Sequence, residues 1–128
     1  MTIYILNSLI IPADFSAGPV ITVMRKASLE EVKSLLREGF ESAVGHEATA
    51  SLLSKLLGAE IPLRRVIVQA KPGDVLIHFA LRTRLPEGRV LTEAELQQLE
   101  YDFVVSEIHR HLICVSCHEL VYPPSPKP

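Results

Sequence analysis

An amphipathic helix is predicted by residues 28–39, Ser28-Leu-Glu-Glu-Val-Lys-Ser-Leu-Leu-Arg-Glu-Gly39. Ser28 and Glu31 have the spacing of a capping box, in which the hydroxyl accepts the Glu31 amide and the carboxylate reaches back. Gly39 ends the helix, whose apolar residues share one face: Leu29, Val32, Leu35 and Leu36. Because so short a helix is not stable alone, this face predicts helices packed on a sheet.

The strands of that sheet are predicted by runs of β-branched and aromatic residues. These runs are residues 2–6, 20–24, 65–69, 75–81 and 101–108. The turn-forming run Lys71-Pro-Gly-Asp74 predicts that residues 65–69 and 75–81 form a β-hairpin. A second helix is predicted to begin near Gly45 and end before Gly58, with Leu52, Leu53, Leu56 and Leu57 on its apolar face. A short third helix is predicted to begin at Thr92. We expect an α+β fold: a single domain with a mixed, mostly antiparallel sheet and helices packed on it.

Length and composition limit the classes of protein and ligand. The chain has 128 residues, of which we assign 1–108 to one domain and 109–128 to a C-terminal extension with a Pro-rich tail. A net charge of −2, with no Trp, argues against binding to long nucleic acid. No apolar run approaches a membrane span, and no basic segment precedes the apolar start, so we expect a cytoplasmic protein with no membrane partner.

Three segments carry residue types suited to phosphate chemistry. Gly45-His46-Glu-Ala-Thr49 begins a helix, where exposed amides favour a phosphate and an imidazole can act as a general acid. Arg84-Leu-Pro-Glu87-Gly-Arg89 and Arg65 offer guanidinium groups for bidentate phosphate binding. Each segment also has an alternative interpretation without a function. His46 can be an ordinary residue at a helix start, residues 84–89 a solvated turn with a surface ion pair, and Arg65 an exposed residue at a strand end.

The C-terminal extension holds a cluster of soft metal ligands, His109, His111, Cys114, Cys117 and His118. Cys-x-x-Cys is half of a zinc site, and the pattern of residues 114–118 also fits c-type haem attachment. Nothing else in the chain indicates export or a haem cavity. We therefore expect no metal and no cofactor, and zinc bound by His109, Cys114, Cys117 and His118 stays open as an alternative.

Five segments recur, in this order, in one known family: Ile5-Leu-Asn-Ser-Leu9, Ala43-Val-Gly-His-Glu-Ala-Thr49, Leu52-Leu-Ser-Lys-Leu-Leu-Gly58, Arg65-Val66 and Arg84-Leu-Pro-Glu-Gly-Arg-Val-Leu91. From about residue 2 to about residue 108, the chain resembles the type III anti-CRISPR ring nucleases of archaeal viruses and phages, and their relatives beside cellular CRISPR loci. The pair Gly-His-(acidic)-x-Thr and Arg-Leu-x-Glu-Gly is its most specific feature.

The resemblance implies a two-fold homodimer that binds cyclic tetraadenylate, the second messenger of type III CRISPR antiviral defence. It further implies cleavage of that ring to linear di-adenylates without a metal. On this resemblance His46, Arg84 and Glu87 are catalytic, and the ligand-binding residues are Asn7, Ser8, Thr49, Arg65 and Arg84. Arg65 and Arg84 of two protomers would supply four arginines for the four phosphates of the ring.

RNA carries its own nucleophile, because a 2′-hydroxyl lies beside each phosphate. A nuclease can align this oxygen and protonate the departing 5′-oxygen, which leaves a 2′,3′-cyclic phosphate. We expect His46 to be that acid. The competing hypotheses are a sponge that binds the ring with little turnover, a small dimeric interaction or nucleic-acid-binding protein, and a metal or redox protein built on the Cys/His cluster.

Overall fold

A computed structural model of the chain describes residues 1–16, 18–82, 93–110, 112–113 and 120–121. Its helices are α1 (Leu29–Leu36), α2 (Glu47–Leu57) and α3 (Glu93–Gln97). Its strands are β1 (Ile3–Leu6), β2 (Val20–Ala27), β3 (Glu41–Ala43), β4 (Val75–Leu81), β5 (Tyr101–Arg110), β6 (Leu112–Ile113) and β7 (Leu120–Val121). The first five strands form one sheet, and β6 pairs with β7.

The five-stranded sheet is mixed, with the order β2-β5-β4-β1-β3. The antiparallel ladders β2–β5 and β4–β5 pair eight and seven residues, and the parallel ladders of β1 with β4 and β3 pair four and three. The predicted mixed, mostly antiparallel α+β fold is therefore confirmed. Because β1, β3 and β4 run in the same direction, their carboxyl ends meet at one edge of the sheet.

The two longer helices pack their apolar residues against one face of the sheet. Val32 and Leu36 of α1 are buried, and the Ser28 hydroxyl accepts the Glu31 amide at 3.2 Å, as the capping box predicts. The Glu31 carboxylate pairs with Arg25. Leu52, Leu53 and Leu57 of α2 are buried in the same core, and Gly58 ends α2 in the left-handed region with φ 63°. Both helices thus form where the sequence predicts them.

The predicted β-hairpin of residues 65–69 with 75–81 is wrong in its first strand. The turn is present, since the Asp74 amide donates to the Lys71 carbonyl at 2.9 Å and Gly73 has φ 96°. Residues 65–69 lie outside the sheet because β1 and β5 already occupy both edges of β4. The segment covers the sheet instead, with Val68 buried and Ile67 93% exposed.

The structure also extends and adds to the predicted elements. β2 continues to Ala27 and β5 to Arg110, and the short strand β3 was not predicted. The domain boundary at residue 108 stays a prediction. None of the helices within the described ranges has the length and apolar character needed to cross a membrane.

Candidate functional site

Several of the predicted site residues lie at the edge where the parallel strands end. Asn7 and Ser8 follow β1, whose last residue Leu6 is paired with Ala43 of β3. Val44 and Gly45 follow Ala43, and α2 then begins at Glu47 with His46 as its N-cap. Ligands of α/β sheets commonly bind outside the carboxyl ends of parallel strands, so this edge is the candidate site.

His46 occupies the N-cap position of α2, with φ −122° and ψ 121°. Among the described residues, its side chain caps none of the helix amides. Its Nδ1 lies 3.2 Å from the Thr49 hydroxyl, which can donate to a neutral ring or accept from a protonated one. Since Thr49 engages Nδ1, a proton passed to a ligand would come from Nε2. The exposed ring is thus held in orientation without being buried.

The segment that follows α2 in the sequence brings Arg65 back to the start of that helix. Val44 forms a parallel bridge with Leu63, and the Arg64 amide donates to the Val44 carbonyl at 2.9 Å. The Arg65 Nε donates to the Gly45 carbonyl at 3.0 Å. This bond uses Nε, so the terminal nitrogens of the exposed guanidinium are the ones available to a phosphate.

Gly45 permits the close approach of Arg65. A Cβ placed on Gly45 would lie 3.3 Å from Cγ of Arg65, which is tighter than ordinary van der Waals contact. The glycine therefore has a packing role, and its φ is not in the left-handed region. The sequence motif contains Gly45, but the contact with a residue twenty positions later is visible only in the structure.

Asn7 is exposed, whereas Ser8 is half-buried and contacts His78, which no sequence motif indicates. The Ser8 carbonyl lies 3.0 Å from Nδ1 of His78, and Nε2 of His78 lies 2.8 Å from the Ser106 hydroxyl. His78 and Ser106 are fully buried. The only sequence signal was one polar ring in the apolar run of residues 75–81, since a buried polar group needs hydrogen-bond partners.

Burial lowers the pKa of His78, although its hydrogen bond to the Ser8 carbonyl acts in the opposite direction. An unfolded histidine has a pKa of about 6.5, so above that pH the ring is neutral in both states and the stability is unaffected. As pH falls below about 6.5, the unfolded chain binds the proton first. We expect the free energy of unfolding to fall there by up to about 1.4 kcal/mol per pH unit, until the pH reaches the lowered pKa.

Urea unfolding of the wild type and of His78→Asn, between about pH 5 and pH 8, measures this effect. The carboxylates contribute equally to both proteins, so the difference between the two curves isolates His78. A variant whose free energy of unfolding has the same pH dependence as the wild type would contradict the prediction.

The remaining predicted residues are only partly placed. Arg84 and Glu87 lie outside the described residues, and their roles stay predictions. Cys114, Cys117 and His118 also lie outside the described residues. His109 is on β5, with Nε2 3.3 Å from a Glu107 carboxylate oxygen. Within the described part of the chain, no three His, Cys, Asp or Glu side chains are grouped to hold a metal.

Exposed apolar residues lie close in the sequence to the site residues Ser8 and Arg65, and we call these residues the apolar flank. It comprises Leu9, Ile10, Leu63, Val66 and Ile67. Its first two residues follow Ser8, and its last three surround Arg65 in the sequence. A bridge between Ala13 and Ala70 joins the two segments farther along the chain. Exposed apolar patches of this kind commonly mark interaction surfaces.

Comparison with known proteins places this fold in a family. The family model described as STIV B116-like matches residues 3–103. Uncharacterized protein 26 of Sulfolobus islandicus filamentous virus is 42% identical over 108 residues, covering 83% of this chain and 91% of the relative. Uncharacterized protein YddF of Bacillus subtilis is 34% identical over 106 residues, covering 80% and 94%. The structure of B116 of Sulfolobus turreted icosahedral virus has a TM-score of 0.71 at 22% identity, covering 84% of this chain and 99% of that one; this likeness concerns the fold.

Proposed function

This chain belongs to the STIV B116-like family, and on that premise we propose that it is a metal-independent ring nuclease. The proposed protein binds cyclic tetraadenylate at a homodimer interface, cleaves it to linear di-adenylates and switches off type III CRISPR signalling in the cytoplasm of a cell. One observation carries the proposal: an exposed imidazole at the start of α2 is oriented through Nδ1 by Thr49. The sequence resemblance supplies the substrate.

In the proposed reaction the substrate provides the nucleophile. The 2′-oxygen of one ribose forms a bond to the adjacent phosphorus and loses its proton to solvent, and the bond from phosphorus to the 5′-oxygen breaks. His46, protonated before the step, gives its Nε2 proton to that departing oxygen. The products are a 2′,3′-cyclic phosphate and a 5′-hydroxyl. Two such cuts at opposite phosphates, one from each protomer, divide the ring into equal halves.

The other side chains at this edge bind and align the ring. The Arg65 guanidinium, anchored through Nε at Gly45, meets a phosphate with its terminal nitrogens. The first amides of α2 favour the same negative charge. Asn7 and Ser8 contribute hydrogen bonds from the end of β1. Arg84 and Glu87 close over the bound ring in this proposal, which excludes water and strengthens the contacts.

The test of the mechanism compares two rings. The wild type should cleave cyclic tetraadenylate and bind, without cleaving, an analogue in which each 2′-hydroxyl is replaced by hydrogen. Cleavage of the 2′-deoxy ring would contradict attack by the 2′-oxygen. Tight binding with both rings left intact would instead favour the sponge, which is the alternative function for the same site.

The apolar flank supports the homodimer, because it adjoins the site and a two-fold axis there would present every site residue twice. We expect Ile67→Asp to make the protein monomeric at micromolar concentration, since a second copy would bury this 93% exposed side chain. The rate of ring cleavage should decrease as the dimer dissociates. Light scattering after size-exclusion chromatography measures the mass.

Val23→Asp is the matched control. Val23 is another exposed apolar residue, 41% exposed, but it lies on β2 at the opposite edge of the sheet from β3. Ile67→Asp should keep the free energy of unfolding of the monomer within about 0.5 kcal/mol of wild type, because Ile67 is almost fully exposed. Val23→Asp should lose about 1 kcal/mol, because Asp is a poor strand residue and faces Glu107 across the β2–β5 ladder, yet it should remain dimeric. A dimeric Ile67→Asp protein, or a monomeric wild type, would contradict the proposed interface.

A further inference from the structure

A buried chain of hydrogen bonds connects three strands of the sheet behind the candidate site. It runs from the Ser8 carbonyl at the end of β1 to His78 on β4, at 3.0 Å, and from His78 to Ser106 on β5, at 2.8 Å. His78 and Ser106 are both 0% exposed, on the sheet face opposite the helices. The ligand residues Asn7 and Ser8 thus adjoin a fully buried polar pair.

The chemistry of the two bonds fixes the tautomer of His78. A carbonyl oxygen only accepts, so Nδ1 of His78 must carry the proton and donate to Ser8. The neutral ring then accepts at Nε2, and the Ser106 hydroxyl donates to it. Each ring nitrogen therefore has one role, and Ser106 supports the tautomer that the Ser8 bond requires.

A histidine is needed here because the Ser8 carbonyl lies beyond the described ladders of β1 with β3 and β4. The pairing of β1 with β3 and β4 ends at Leu6, so the Ser8 carbonyl receives its hydrogen bond from a side chain. An apolar residue at position 78 would leave that carbonyl and the buried Ser106 hydroxyl without this partner. The imidazole of His78 thus connects the turn after β1 to the central strand β4 by a hydrogen bond.

We infer that His78 is a positioning residue for the ligand site, because it holds the turn that presents Asn7 and Ser8 at the edge shared with His46 and Arg65. This inference rests on the proposed function, which makes that edge a binding site. A turn held in place before binding loses less conformational freedom when the ring binds. Releasing it should weaken ring binding by about tenfold.

Two substitutions at position 78 test the two hydrogen bonds of the imidazole separately. The amide of Asn lies one bond beyond Cγ, as Nδ1 does, so His78→Asn keeps a donor for Ser8. The amide of Gln lies two bonds beyond Cγ, as Nε2 does, so His78→Gln keeps a partner for Ser106 and loses the bond to Ser8. Ser106→Ala is the third variant, because it breaks the chain on the side away from the ligand.

The experiment measures the melting temperature of each variant and its affinity for the 2′-deoxy ring, which binds without turnover. All three variants should melt a few degrees below wild type, because each loses one buried hydrogen bond. Only His78→Gln should bind the ring about tenfold more weakly. Unchanged affinity in His78→Gln, or affinity that follows the melting temperature across all three variants, would overturn the inference.

A measurement on the free protein separates this inference from the proposed function. The ring nitrogens of His78, observed by ¹⁵N NMR, should show a protonated Nδ1 and an unprotonated Nε2 at neutral pH. The opposite tautomer would overturn the inference whatever the ligand. A wild type that binds no ring would overturn both the proposed function and this inference, whereas wild-type binding unaffected in His78→Gln would overturn the inference alone.

Discussion

His46→Ala is expected to slow ring cleavage by about 10²- to 10⁴-fold, the usual contribution of one general acid. The affinity for the ring should stay within a few-fold of wild type, because in the proposed complex Arg65 and the first amides of α2 would still face the phosphates. Single-turnover rates with protein in excess measure the chemical step, and equilibrium binding of the 2′-deoxy ring measures the affinity. Cleavage at the wild-type rate would remove His46 from the mechanism.

His46→Asn separates chemistry from folding. Asparagine is among the best N-cap residues, whereas among the described residues the His46 side chain caps no helix amide. The Asn variant should therefore unfold at or above the wild-type temperature and still lose cleavage as fully as the Ala variant. Loss of activity in Ala but not in Asn would assign His46 to helix stability alone.

Arg65→Ala is expected to weaken ring binding by about 10²- to 10⁴-fold. A hydrogen bond to a charged group contributes about 1.5–3 kcal/mol, and each ring meets two copies of Arg65 in the proposed dimer. Arg65→Lys should give an intermediate loss, because it keeps the charge but lacks the planar fork and the Nε bond to Gly45. Equilibrium titration of the 2′-deoxy ring, at one fixed salt concentration, measures both.

Arg64→Ala is the control for charge. It removes the same positive charge from the neighbouring position, and the backbone bond of residue 64 to Val44 does not depend on the side chain. Its affinity should change by only a few-fold, which salt screening reduces further. Equal losses in Arg64→Ala and Arg65→Ala would show a net-charge effect and contradict a specific contact between Arg65 and a phosphate.

The helices could be predicted from the sequence because their signals are local. The Ser28 capping box and the glycine that ends α2 each act within a few residues. The false hairpin has the opposite cause: residues 65–69 have an acceptable strand pattern, but pairing depends on which strand edges are free. β1 and β5 are the neighbours of β4 in the sheet, and the sequence of residues 65–81 alone does not indicate this strand order.

The contacts of the candidate site are likewise of two kinds: local ones, which the sequence predicts, and long-range ones, which it does not. The contact between His46 and Thr49 spans three residues at a helix start, and the motif already contains both. The bond from Arg65 to Gly45 spans twenty residues, and the bond from His78 to Ser8 spans seventy. Such contacts arise from strand order, so the sequence predicts the residue types at the edge but not the buried histidine behind it.

The most direct test of the proposed function is a time course of cyclic tetraadenylate with purified wild-type protein in excess EDTA, analysed by chromatography and mass spectrometry. We predict conversion of the ring to linear di-adenylates, first ending in a 2′,3′-cyclic phosphate and a 5′-hydroxyl. A ring that stays intact while bound to the protein would contradict the nuclease and leave a sponge. A ring that does not bind at all would contradict the site itself.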